Sequence, residues 1–331
     1  MKLGVIGFGN HAKEIILPVC SAIFGVEFVA ICDNDEAKLQ EAREAFPSAQ
    51  AFKDFREMMN VVQPDAVIAA CYPTDHYNIA LAALSRGIAV FIEKPLAPSS
   101  GHVDKLIELA ARKGVTTGVG MNFRFADVTR RLASISGGEI NTITLRQHAN
   151  KPVTTFWDYN SVLRSFLHAQ TIHGLDFLIH LCGPVRDIRV ANSNRGNKII
   201  FTVILEFESG AHGTLITSNT SPHFIFDFDA ICREKMHVNS SSLWDFSVSE
   251  IGKMYHGAET KKWRDHWAPS PLASGFERSG YHGQFVEFIN AVKEGRDSKT
   301  SFASLRETYR CMDRIEALCF RRHPILEAMA S

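Results

Sequence analysis

The chain has no Cys-x-x-Cys pair, although it carries seven cysteines in 331 residues. Their odd number and scattered positions exclude the disulfide framework of a small secreted domain, and they are expected as reduced core thiols in a cytoplasmic setting. Net charge is also missing, since 36 basic residues balance 36 acidic ones. That leaves no basic field for nucleic acid or an anionic membrane surface. No apolar run approaches the roughly 18 residues of a membrane span, so no membrane association is expected. The opening MKLGVIGFGN has one basic residue, but glycines interrupt its apolar stretch at once, and it reads as a first strand rather than a leader. No His-Glu-x-x-His or comparable ligand set occurs, so no metal is expected. Internal repeats and low-complexity tracts are absent too. What remains is a chain that is 45% apolar and long enough for about two hydrophobic cores.

The first third alternates between two periods. Strands are expected at Leu3 to Gly7, Phe28 to Cys32, Gln50 to Phe52, Ala66 to Ala70, Ala89 to Ile92 and Thr116 to Gly120. Helical patterns lie between them, at Asn10 to Phe24, Asp35 to Phe46, Asp54 to Val62, Tyr77 to Arg86 and Ser100 to Lys113. Strands separated by helices of this length predict a doubly wound parallel sheet. From Glu139 the pattern changes to long alternating stretches at Ile143 to His148, Ile199 to Glu208, Ala211 to Ser218 and Phe224 to Ile231. With Glu208-Ser209-Gly210 as a hairpin turn, these predict an antiparallel sheet. Helices are expected at His168 to Cys182, Tyr281 to Lys293 and Phe302 to Leu318, and Asn150 to Arg164 and Trp244 to Gly280 read as long irregular stretches. The fold class is therefore α/β: a Rossmann-type doubly wound domain over 1–122, then an α+β domain with a large, mostly antiparallel open sheet over 123–331. The C-terminal helices are free to pack back on the first domain.

Chemistry concentrates first at Gly7-Phe8-Gly9-Asn10-His11-Ala12, a G-x-G-x-x-A turn between the first strand and its helix. Gly7 permits the tight turn, Gly9 lets backbone approach a pyrophosphate, and Ala12 lets the helix pack on the sheet with its N-terminus facing the anion. Asp33 closes the second strand about 20 residues further on, where the acceptor for the ribose hydroxyls belongs. An ordinary turn with a helix-capping Asp is the bland alternative. A carboxylate at 33, followed by Asn34 and Asp35 rather than Arg, favours NAD over NADP.

Further motifs follow the later strands: Tyr72-Pro73-Thr74-Asp75-His76, Glu93-Lys94-Pro95 and Asn122-Phe123-Arg124-Phe125. Together with Gln170-Thr171-Ile172-His173-Gly174-Leu175-Asp176 and the hairpin at Phe207 to Gly213, they make the sequence resemble the Gfo/Idh/MocA oxidoreductases, a family that includes glucose–fructose oxidoreductase and inositol dehydrogenase. The resemblance runs along essentially the whole chain. It implies a nicotinamide cofactor on Gly7, Phe8, Gly9, Asn10, His11, Asp33, Tyr72, Pro73, His76, Glu93, Lys94 and Asn122. It implies a sugar, amino sugar or cyclitol near Lys94, Arg124, Trp157, Gln170, His173 and Asp176. Lys94 and His173 would be catalytic, the first orienting the reacting oxygen and the second exchanging its proton. Two other activities fit the same fold: a non-catalytic dinucleotide-binding sensor, and an NAD-recycling elimination or glycosidase enzyme. A homodimer or homotetramer is expected, because the open face of the second sheet needs covering.

At ~100° per residue, His173 sits at the middle of a polar arc formed with Gln170, Asp176, Ala169 and His180 on an otherwise apolar helix. Such an arc is either a solvent face or the lining of a cleft, and the resemblance favours the cleft. Where inositol-type relatives carry an Asp four residues before the His, this chain has Ala169, a departure that bears on substrate and proton relay. Asp176 is a candidate substitute, with a structural cap or salt bridge as its alternative. Trp157 could stack on a sugar or anchor its loop, Arg124 could be a structural bridge, and His76 could cap its helix.

Overall fold

The computed structural model describes the backbone of residues 1–233, 236–255, 258–267 and 275–320, with their side chains apart from 251–267 and 320. The first unit is built on β1 (Lys2–Ile6), α1 (Leu17–Ser21), β2 (Glu27–Cys32), α2 (Glu36–Ala45), β3 (Gln50–Phe52), α3 (Phe55–Val62), β4 (Ala66–Ala69), α4 (Pro73–Arg86), β5 (Ala89–Ile92), α5 (Ser100–Lys113) and β6 (Thr117–Val119). β4 and β5 are buried at every position, as strands covered on both faces must be. Local chemistry starts the helices: Asp35 accepts from the Ala37 N–H, Asp54 accepts from those of Arg56 and Glu57, and Pro73 opens α4. The six strands pair in parallel in the order β3-β2-β1-β4-β5-β6. This is the dinucleotide-binding order, and it reverses between β1 and β4.

The second unit contains α6 (Asp127–Ser136), β7 (Ile140–His148), α7 (Val162–Phe166), α8 (Ile172–Cys182), β8 (Val185–Asn192), β9 (Ile200–Phe207), β10 (His212–Ser218), β11 (Ile225–Cys232), β12 (Met236–Ser240), β13 (Phe246–Tyr255) and β14 (Ala258–Trp267). Its eight-stranded sheet runs β14-β13-β12-β11-β7-β10-β9-β8 and is antiparallel except for the parallel pair β7–β10. Alternating burial along β9, β10 and β11 leaves one face inside and the other exposed.

The chain then returns. α9 (Gly275–Arg278) and α10 (Tyr281–Glu294) belong to the first unit, and α11 (Arg306–Phe320) lies almost wholly in the second. The units are therefore 1–125 with 275–306, and 126–274 with 307–331, rather than two segments cut once at 122/123. Phe285, Phe288 and Ile289 of α10 share one apolar cluster with Leu3, Ala66, Ile68 and Phe91. The Phe91 ring lies 4.9 Å from that of Phe285 and 5.4 Å from that of Phe288.

Two expectations from the sequence need correction. The stretch from Trp244 to Gly280 contains β13 and β14 instead of an irregular loop; β14 is the sheet edge, and its charged residues hid the alternation. The helical run around His173 starts near Val162 rather than His168, because Ser161 caps it by accepting from the Arg164 N–H. It is also interrupted by a π-helical turn at Leu167–Thr171, which breaks the regular 100° spacing just before His173.

Candidate functional site

In the first unit, the turn after β1 lies where the strand order reverses. Gly7 has φ +94°, its N–H bonds the Cys32 carbonyl at 2.8 Å, and a Cβ there would stand 2.5 Å from the Ala70 carbonyl oxygen. Only glycine meets both demands. A Cβ on Gly9 would meet nothing within 4 Å, so this backbone is open to a ligand. The Phe8 side chain is 2% exposed and packs with Val5, Leu17, Ile31 and Ala42, leaving only its backbone at the turn. That N–H donates to Asp33 Oδ2 at 2.8 Å, and the Asp35 N–H donates to Oδ1 at 3.0 Å. Asp33 is thereby fixed beside the glycine turn. Gly7, Gly9, Asp33 and Tyr72 line one cavity of about 410 Å³, together with Cys71, Lys38 and Lys53. The Cys71 thiol is pushed up to about 12, first by burial and then by the Asp75 charge, so it stays protonated.

The two lysines were not apparent in the sequence. Lys38 Nζ is 3.7 Å from Asp33 Oδ2, and Lys53 Nζ is 2.8 Å from Glu36 Oε2. Cations therefore do stand near Asp33, supplied by α2 and by the loop after β3 instead of by positions 34 and 35. Position 38 follows Asp35 by one helical turn, which was the one sequence signal for it.

A second group surrounds the turn after β5. Glu93 is buried, and its Oε1 lies 3.4 Å from His11 Nε2. Burial alone would raise the Glu93 carboxyl; the contacts with His11 and Lys94 outweigh it and hold the group below the usual range. Burial pulls the His11 imidazole down, but the Glu93 carboxylate prevails and raises it. The His11 ring also meets Tyr281 edge-on at 5.8 Å. Gly120 leaves the room for Glu93, since a Cβ there would lie 2.2 Å from Oε2. His76 is 1% exposed and does not cap α4: its Nδ1 is 2.8 Å from the Pro95 carbonyl oxygen. Burial lowers this imidazole, so neutral His76 can donate through Nδ1 and hold the turn bearing the half-buried Lys94. The Lys94–Pro95 bond is cis.

Two residues of the sequence reading have structural duties. Asn122 Nδ2 donates to the Ser279 carbonyl at 2.8 Å, tying down the returning segment. Arg124 Nη1 donates to the Lys299 carbonyl at 2.9 Å and to Ser304 Oγ at 3.1 Å, and Nη2 donates to the Ser304 carbonyl at 3.2 Å. The guanidinium is a buried clamp on residues 299–304, the structural alternative the sequence offered for Arg124. Asn10 lies exposed at the entry to the first helix.

In the second unit, Gln170 and His173 are half-buried while Ala169 is buried. Asp176 is 2% exposed and accepts from Thr308 Oγ1 at 3.2 Å, locking α8 to α11 from within. It therefore drops out of the predicted polar arc. Trp157 packs on Phe156 and Tyr159, with ring centroids at 5.8 and 6.2 Å, which anchors its loop. His168 is buried between the rings of Tyr159 and Tyr309, and burial followed by the Arg164 charge pushes it down to about 3. Among the described residues no group of three or more His, Cys, Asp or Glu is placed to hold a metal, and no helix is long and apolar enough to cross a membrane.

The arrangement in the first unit is that of a dinucleotide-binding oxidoreductase. Residues 1–121 match the model of an oxidoreductase family with an NAD-binding Rossmann fold. A dehydrogenase of solved structure from Chromobacterium violaceum is 33% identical, with a TM-score of 0.91 over 100% of this chain and 97% of that one. Myo-inositol 2-dehydrogenase of Thermotoga maritima is 28% identical over 237 residues, 66% of this chain and 68% of that protein. A levoglucosan dehydrogenase solved with NADH shares the fold at 16% identity and a TM-score of 0.81, over 96% of this chain and 97% of that one. The chain belongs to the Gfo/Idh/MocA oxidoreductase family.

Proposed function

We propose that this chain is an NAD-dependent dehydrogenase that moves a hydride between nicotinamide and a secondary alcohol or ketone carbon of a sugar, amino sugar or cyclitol. The observation that carries the reading is the open Gly9 backbone beside a fixed Asp33 at the strand-order reversal. Gly7, Gly9 and Asp33 would hold the dinucleotide, and the group supplies the hydride acceptor or donor when bound. The carboxylate of Asp33 retains lone pairs for ribose hydroxyls beyond those given to Phe8 and Asp35, and its charge opposes a 2′-phosphate, while Lys38 and Lys53 are engaged by the carboxylates of Asp33 and Glu36. Lys94, on the turn held by His76, would orient the substrate oxygen and favour its alkoxide character. His173 would take the hydroxyl proton in oxidation and return it in reduction. The name of the Thermotoga relative supports a cyclitol or a sugar of similar hydroxyl pattern.

The test is absorbance of the reduced nicotinamide with a panel of myo-inositol, hexoses, amino sugars and nucleotide-linked sugars, run with NAD and NADP. Turnover with NAD that drops by about 100-fold or more in both Lys94→Ala and His173→Ala is expected. NADH is expected to bind about 10-fold or more tightly than NADPH by fluorescence titration, a gap of about 1.4 kcal/mol. Tight NADH binding with no turnover across the panel, or turnover that survives either variant, overturns the assignment of roles. The first of these results would leave the dinucleotide-binding sensor and the NAD-recycling elimination or glycosidase enzyme as the readings of the chain.

A further inference from the structure

The helix that carries His173 is irregular just before it, and a side chain from a distant strand meets the irregularity. Gln147 lies on β7 and is 1% exposed. Its Nε2 donates to the Gln170 carbonyl at 2.6 Å, and its Oε1 accepts from the Gly174 N–H at 3.1 Å. Residues 170 and 174 are the pair that a regular α-helix joins through its own backbone. The carboxamide thus contacts both ends of one helical repeat, and His173 lies between them in sequence. The π-helical turn at Leu167–Thr171 sets Gln170 at the point where the helix changes pitch, where backbone groups need outside partners.

Gly174 is part of the same device. A Cβ at this position would lie 2.3 Å from Gln147 Oε1, 2.9 Å from Leu215 Cδ1 and 3.1 Å from Leu145 Cδ2. Only a residue without a side chain lets β7 approach closely enough for the amide to reach both groups. A buried primary amide offers two donors and two acceptor lone pairs, and burying it costs free energy unless it is paired. Apolar residues of similar size would fill the space without that cost, so filling space does not account for an amide here.

We infer that Gln147 is a positioning residue: its side-chain amide fixes the backbone on both sides of His173 and so sets the direction of the imidazole. This rests on the proposed acid/base role of His173. An amide can do this where a hydroxyl or an apolar group cannot, because it supplies a donor and an acceptor in one rigid plane. Misplacing an acid/base group by about 1 Å costs up to about 100-fold in rate. Ground-state binding of the dinucleotide does not depend on that direction.

The experiment uses Gln147→Leu and Gln147→Glu in the full chain. The first removes both bonds; the second keeps the size and the acceptor for Gly174 but loses the donor to Gln170. Protein labelled with 15N-histidine gives imidazole spectra in which the His173 signal is assigned by its loss in His173→Gln. That signal is expected to broaden or split in Gln147→Leu, while those of His11 and His76 in the other unit stay in place. On the substrate found in the panel, kcat is expected to fall about 10- to 100-fold, with KM and the NADH dissociation constant within about 2-fold. In the double variant with His173→Ala, the loss is expected to be no greater than for His173→Ala alone.

An unchanged His173 signal in folded Gln147→Leu, or a loss that adds fully to that of His173→Ala, overturns the inference. If Gln147→Leu does not fold, Gln147→Glu carries the same readings. Should His173→Ala itself keep its activity, the proposed acid/base role has failed, and the spectra then judge the positioning of the ring alone. A purely architectural glutamine would lower thermal stability and leave kcat per folded molecule and the imidazole signal as they were.

Discussion

Stability of the second unit is expected to fall between about pH 7.5 and about pH 5 because of one histidine. His168 titrates at 6.5 in the unfolded chain and at about 3 in the folded one, where burial and then Arg164 oppose its charge. A histidine depressed in this way stabilises the fold fully above 6.5. The unfolded chain takes up the proton first as pH falls, so that stability is progressively lost down to the folded pKa. Integrating the linkage from about pH 7.5 to about pH 5 gives a loss of about 2 kcal/mol. This figure is insensitive to the folded value as long as the imidazole stays neutral at about pH 5. All four tryptophans, at 157, 244, 263 and 267, belong to the second unit, so tryptophan fluorescence follows its unfolding. Urea denaturation of the parent and of His168→Leu at both pH values isolates the term, because the contributions of the other shifted histidines, His11, His76 and His148, are present in both proteins. The parent is expected to lose about 2 kcal/mol more than the variant on acidification. Equal losses would show that His168 is protonated in the folded protein and would refute the account of its burial.

Two glycine replacements separate folding from cofactor binding. Gly7→Ala forces a positive φ and a contact of 2.5 Å with the Ala70 carbonyl oxygen, so it should destabilise the first unit by about 2 kcal/mol or more in denaturant titration. Gly9→Ala meets no atom within 4 Å; it should melt with the parent yet bind NADH about 10-fold or more weakly, and parental affinity would remove this backbone from the phosphate site. The second sheet exposes Ile200, Ile204 and Ile231, and a homodimer or homotetramer is expected in light scattering at micromolar concentration; a monomer there would refute coverage of that face by a second copy.

The fold was legible where signals were local. Ala66 to Ala69 are consecutive apolar residues bounded by turn formers, and they form a strand buried on both faces. Glu208-Ser209-Gly210 turns β9 into β10, with Gly210 at φ +86°. The strands at the chain's second half were less complete: β8, β12, β13 and β14 escaped because edge and near-edge strands carry polar residues on one or both faces. The π-helical turn was invisible because one extra residue in a helical turn leaves the composition of the helix unchanged.

At the candidate site, residues next to strand ends were readable from spacing, and those whose role depends on distant partners were not. Gly7, Gly9 and Asp33 follow the ends of the adjacent strands β1 and β2, and one cavity collects them. The structural duties of Arg124 and Asn122 were hidden, because the sequence does not disclose that residues 279–304 return to meet them. Gln147 gave no signal at all, since its partners lie 23 and 27 residues away on a helix. Asp176 was placed on a polar arc by periodicity alone, and Thr308, far along the chain, explains its burial.

The return of α10 to the first unit bears on how the protein is made. Phe285, Phe288 and Ile289 complete the apolar cluster around Phe91, Leu3 and Ile68, so the sheet carrying the glycine turn lacks one wall until residues 275–306 have left the ribosome. The dinucleotide fold begun by residues 1–125 is finished only by a segment that lies about 150 residues further along the chain. A prematurely terminated chain therefore carries the whole glycine-rich fingerprint and still presents an open apolar face to proteases and chaperones.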